Sequence, residues 1–154
     1  MLACYDIARY FITLVDEESG EKLTHLKLQK LVYYAQGFHL ALYDTPLFPE
    51  PIEAWAHGPV VPELYHLYKK YEAQALPLPE EGDFSIYPSD VKELLNEVHT
   101  VYGQFSAWKL RDLTHEEPPW KNAYGTGDST ISQEAMRTFF KTLLIDDPKV
   151  SNTP

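Results

Sequence analysis

Apolar side chains recur every three to four residues along most of this chain, the spacing of helices that each bury one face. Ile7, Tyr10, Phe11, Leu14 and Val15 predict a first amphipathic helix, stopped by the acidic run from Asp16 and by Ser19-Gly20. Thr24 stands where it can cap a second helix reaching about Tyr43. Leu28, Leu31, Ala35, Phe38 and Leu42 share one face of that helix, and Leu26, Tyr33 and Leu40 cover much of another. A helix apolar on several sides belongs at the centre of a fold. Between those faces His25, Gln29 and Gln36 fall on a strip about 40° wide. Polar groups so flanked need partners once buried, and loop backbone is the expected one.

After Tyr43 the pattern changes. Prolines 46, 49 and 51 mark turns, and Pro51 to His57 reads as a short strand that Gly58-Pro59 breaks. A third helix follows to about Tyr71, with Leu64, Leu67, Tyr68 and Tyr71 expected inward. Residues 75 to 88 are mainly loop, and Phe84 to Tyr87 offers a second strand to pair with the first as an antiparallel ribbon. Ser89 then caps a helix with Val91, Leu94, Leu95, Val98 and Val101 inward, and Ser106 caps a shorter one carrying Leu110 and Leu113. Pro118-Pro119 ends that helix and starts a single turn at Trp120. Ser132 caps a last helix with Met136, Phe139, Phe140 and Leu143 inward, ended by Pro148. The prediction is a mainly α protein: one compact helical domain of about six helices with a small antiparallel β ribbon. It spans residues 1–148, with 149–154 as a C-terminal tail.

Charge narrows the function classes. Thirteen Lys and Arg against 23 Asp and Glu give a net charge of −10 with histidine neutral. The acids gather at 16–21, 80–83, 116–117 and 146–147, whereas the basic residues are scattered. Binding to nucleic acid needs a basic patch, so it is not expected. Membrane association is not expected either, since no apolar stretch approaches the ~20 residues of a spanning helix. Asp6 and Arg9 interrupt any secretory pattern at the N-terminus. A single cysteine, Cys4, rules out an internal disulfide framework and a cysteine-based zinc site, which suits a cytoplasmic setting.

Little in the sequence suggests catalysis. Glu116 and Glu117 are neighbours, and adjacent helical residues do not face one another. The six histidines form no recognisable metal-ligand spacing. Nothing beside Cys4 would activate a thiol, and no glycine-rich phosphate loop is present. No catalytic, cofactor-binding or metal-binding residue is assigned. A small hydrolase-type enzyme built on His57, His115 and Glu116 is the weaker alternative, lacking nucleophile, metal set and phosphate loop.

Three clusters remain that composition does not explain. The first is Leu26-x-Leu28-Gln29-Lys30-Leu31-x-Tyr33-Tyr34-Ala35-Gln36-Gly37. The second is Ile52-Glu53-Ala54-Trp55-x-x-Gly58-Pro59-Val60-Val61-Pro62-x-x-Tyr65. The third is Trp108-x-Leu110-x-x-Leu113-Thr114-His115-Glu116-x-x-x-Trp120, followed by Ile131-Ser132. In this order and spacing they resemble the Panacea domain, the SocA-like antitoxin domain, from about residue 5 to 145. At the position of His57 the resemblance implies an aromatic or polar residue.

The resemblance implies the antitoxin of a bacterial or phage toxin–antitoxin system, neutralising a cognate protein toxin by direct binding. A protease adaptor that delivers the toxin for degradation is the alternative the family allows. Members of the family face many unrelated toxins, so the resemblance does not name this one; some carry an added DNA-binding domain, for which this chain has no room. A homo-oligomer is left open. Gln29, Lys30, Gln36, Trp55, Gly58, Pro59, Trp108, His115 and Trp120 are the motif residues, expected mainly to hold the fold. Partner binding falls instead on Tyr65, His66, Lys69 and Lys70, an exposed tyrosine and a basic pair beside a proline-stiffened corner of an acidic protein.

Overall fold

In the computed structural model, residues 1–19, 23–79 and 84–145 are described, with side chains omitted for 17–19 and 145. The acids at 80–83 and 146–147, Pro148 and the tail from 149 lie outside the described residues. Seven α-helices and a three-stranded antiparallel sheet make up the rest: α1 (Cys4–Ser19), α2 (His25–Tyr43), β1 (Ile52–Trp55), β2 (Gly58–Val60), α3 (Pro62–Tyr68), α4 (Ser89–Tyr102), α5 (Ala107–His115), α6 (Pro118–Ala123), β3 (Thr130–Ile131) and α7 (Gln133–Ile145). The mainly α reading holds. The extra helix over the expected six is α6, which Pro118-Pro119 starts and which runs to six residues instead of one turn.

The central helix is α2. Its neighbours are α1, α3, α4, α5, α7 and β2, and thirteen of its nineteen residues are buried. Thr24 caps it by accepting from the Lys27 N–H, and Asp44 closes it in the left-handed conformation at φ 59°. The Asp44 carboxylate then pairs with Arg137 at 3.5 Å and Lys141 at 3.2 Å, fastening the end of α2 to α7. At Gly37 a Cβ would collide with the Phe140 ring, so glycine there lets α2 and α7 approach.

Several expectations change. Gly58-Pro59 does not break the strand: the chain turns at Ala56-His57 and both residues enter β2, which pairs with β1 as Ala54↔Pro59 and Trp55↔Gly58. Pro59 is tolerated because β2 is an edge strand in the order β2-β1-β3. The other partner of β1 is Thr130-Ile131, not Phe84 to Tyr87. The latter segment forms a turn, with the Tyr87 N–H donating to the Phe84 carbonyl, and its two rings pack on Tyr10 of α1. Ser89 is the first residue of α4, after Pro88.

The largest departures concern burial. Leu64 and Tyr68 bury the inner stripe of α3, but Leu67 lies beside it, 44% exposed, and Tyr71 is half-buried in a 3-10 turn that continues the helix. Leu26, Leu42 and Val101, all read as inward, are exposed. On the wheel Val101 lies about 20° from buried Leu94, at the edge of the inward stripe, but it falls in the last turn of α4. Leu42 sits at the last turn of α2, where fewer neighbours cover it.

Candidate functional site

The three sequence clusters converge on α2, and its polar side chains hold them together. Gln29 clamps the strand-to-helix corner: its Oε1 accepts from the Val61 N–H at 2.8 Å, and its Nε2 donates to the Val61 carbonyl at 3.4 Å. Two turns on, Gln36 does the same for the loop before β1. Its Oε1 accepts from Leu47 at 2.7 Å and Phe48 at 3.4 Å, and its Nε2 donates to the Phe48 carbonyl at 2.9 Å. Both glutamines are 1% exposed, so losing either would strand buried backbone groups. The expectation that this strip satisfies loop backbone holds for both. His25 is buried too, but its Nδ1 has no protein partner.

Tyr33 and Tyr34 reach the third cluster. Both hydroxyls donate to Glu117, at 3.0 and 2.9 Å, one to each carboxylate oxygen. Burial pushes the Glu117 carboxyl up to about 7, against the two hydrogen bonds, which pull it down. Burial, and then the Glu117 charge, push both tyrosines up. Tyr34 also stacks on Tyr102 of α4, with ring centroids 3.9 Å apart. Local sequence hides this site, because the partners of Glu117 lie 84 and 83 residues earlier in the chain. The paired tyrosines of the first cluster were the available signal.

Lys30 lies one turn before the two tyrosines, on the same side of α2. It is 1% exposed, and burial, then the nearby Arg111 charge, bring its ammonium down to about 8. It donates to its own helix at the Leu26 carbonyl, at 3.5 Å. Gly58, at φ 116°, makes room for the lysine stem: a Cβ there would lie 2.6 Å from Lys30 Cε. Lys30 is fully buried and Glu117 half-buried.

Trp120 joins the second and third clusters. Its indole N–H donates to the Trp55 carbonyl at 2.8 Å, and its ring stacks on His115 at 3.9 Å and Tyr124 at 4.6 Å. Burial, then Arg111, lower the His115 imidazole. Trp55 is half-buried and Pro59 buried. Trp108 differs from the other motif residues: it is 65% exposed, with the Arg111 guanidinium 4.7 Å over its ring.

Of the residues proposed to meet a partner, His66, Lys69 and Lys70 are exposed and Tyr65 half-buried. Tyr65 stands edge-on to Trp55 at 4.8 Å and 6.1 Å from the His25 ring, fixed from behind by the motif corner. Leu67 adds an apolar side chain to that surface. Of the enzyme alternative, His57 is exposed on the β1–β2 turn, Glu116 is exposed, and His115 is turned against Trp120. Burial raises the Cys4 thiol to about 12, holding it protonated. Among the described residues no three His, Cys, Asp or Glu side chains gather as a metal site, and no helix is long and apolar enough to cross a membrane.

A family model described as "Antitoxin SocA-like, Panacea domain" matches residues 28–121, from the first turn of α2 into α6. No curated protein and no solved structure matches the chain.

Proposed function

The chain belongs to the SocA-like Panacea antitoxin family, and on that premise we propose that it neutralises a cognate protein toxin by binding it directly, through the outer face of α3. The observation that carries this reading is how the motif residues are used. Gln29, Gln36, Tyr33, Tyr34 and Trp120 spend their polar atoms on internal hydrogen bonds. A frame of that kind supports a surface that can differ between members, which suits binding better than catalysis. The same reading puts the protein in the cytoplasm with its toxin and gives it no cofactor.

The surface itself is argued from chemistry. Tyr65 offers a large contact area at little rotamer cost and is already held by Trp55 and His25. Leu67, His66, Lys69 and Lys70 surround it, a local basic and apolar patch on a protein of net charge −10. Its complement is a toxin surface with acidic groups around an apolar centre.

The test is a titration against the toxin encoded beside this chain. Tyr65→Ala combined with Lys69→Glu weakens binding at least tenfold, about 1.4 kcal/mol, with an unchanged melting curve. Undiminished affinity of the folded double variant moves the interface elsewhere.

A further inference from the structure

We propose that a groove between α2, α4 and α7 docks an amphipathic helix of a protein partner, apolar on one face and rich in Lys and Arg along its flanks. The groove has a volume of about 700 Å³. One wall is α4, and the other is formed by the C-terminal turns of α2 and α7, including Leu143 and Leu144. It lies about 20 Å along α2 from Gln29 and the α3 corner, so it is a second surface, separate from the one proposed for the toxin.

Its apolar lining keeps the periodicity of a buried interface. Leu42 and Val101 continue the inward stripes of α2 and α4, yet they are 46% and 40% exposed, and no described element covers them. Charge then selects the occupant. Asp90, Glu93 and Glu97 lie on successive turns of α4, all exposed, and all three line the groove, whose lining contains no Lys or Arg. An apolar floor with three carboxylates along one rim complements an apolar stripe flanked by cations. It disfavours an acidic segment or an anionic lipid surface. The walls are helices, which offer no free strand edge, so an occupant must satisfy its own backbone hydrogen bonds. A helix does so.

The probe is a synthetic amphipathic peptide of Leu and Lys, read by fluorescence anisotropy against the full chain. The controls are a scrambled peptide of the same composition and a Leu-Glu counterpart. The amphipathic Leu-Lys peptide binds, more weakly as salt rises, and the two controls do not. Glu93→Lys with Glu97→Lys, and separately Leu42→Asn with Val101→Asn, each weaken binding at least tenfold. Asp112→Lys with Glu116→Lys, an equal charge change on α5 and its C-terminal cap, changes it less than threefold.

Equal losses in the two charge-reversed proteins would reduce the effect to the net charge of the molecule and overturn the proposal. So would undiminished binding in the Leu42/Val101 variant. A peptide that binds only after residues 146–154 are removed would assign the groove to the chain's own C-terminus. A concentration-dependent dimer that the groove variants abolish, with the peptide inert, would assign it to a second copy. None of these outcomes bears on the Tyr65/Lys69 titration, so either surface can fail alone.

Discussion

Replacing Glu117 by Gln tests the buried network most directly, because the effect has a sign, a size and a pH window. The carboxyl titrates near 7 in the folded chain, against 4.5 for an ordinary glutamate. Between those values the native state keeps a proton that the unfolded chain has released, so stability falls as pH rises. The loss is absent below about 4.5, complete above about 7, and on the order of 3 kcal/mol. The glutamine amide oxygen accepts from one tyrosine and its NH2 donates to the other hydroxyl, and it cannot ionise, so the variant escapes this loss. Its stability relative to the parent protein should therefore rise by about 3 kcal/mol between pH 4 and pH 8, roughly 6–12 °C in Tm at this size.

Other groups titrate nearby. His25 and His115, both lowered by burial, cost stability as pH falls through their own window, the opposite sign. They are common to both proteins and cancel in the difference. Lys30, held near 8, acts only above that pH: the native lysine loses its proton while the unfolded one keeps it, so stability rises until about 10.5. The assay is urea unfolding followed by tryptophan fluorescence at a series of pH values. A stability difference that does not change with pH would refute both the burial of the charge and the role given to the tyrosines. Tyr33→Phe removes one of the two donors that pull the carboxyl down, so it should move the upper edge of the window to higher pH.

Gln36→Ala should cost about 2–4 kcal/mol in chemical denaturation, because the buried amides of Leu47 and Phe48 and the Phe48 carbonyl lose their partner. Gly37→Ala should cost at least about 1–3 kcal/mol, since the new methyl meets the Phe140 ring and α7 must move away. Trp120→Ala should cost about 3–5 kcal/mol, whereas Trp108→Ala should stay within about 0.5 kcal/mol. Thermal melts of the two tryptophan variants side by side separate the motif residue that holds the fold from the one that lies outside the core.

The helices were legible from the sequence because their causes are local. Apolar residues at helical spacing, Thr24 and Ser106 as caps, and Pro118-Pro119 as a start act within a few residues of chain. The central place of α2 was also legible, since a helix apolar on several sides has to be surrounded. So were the clamps of Gln29 and Gln36, because a polar residue between apolar faces must find a partner inside. What stayed hidden depends on which surfaces meet. Tyr33 and Glu117 are 84 residues apart, and only the packing of α5 against α2 brings the carboxylate that follows it between two hydroxyls. Thr130 and Ile131 are too short a segment to read as a strand, and β1 recruits them because the chain returns past its edge. Leu42, Leu67 and Val101 have the periodicity of core residues, but periodicity records only that a side of a helix is apolar. Whether another element of the chain covers that side is decided by where the neighbouring helices end.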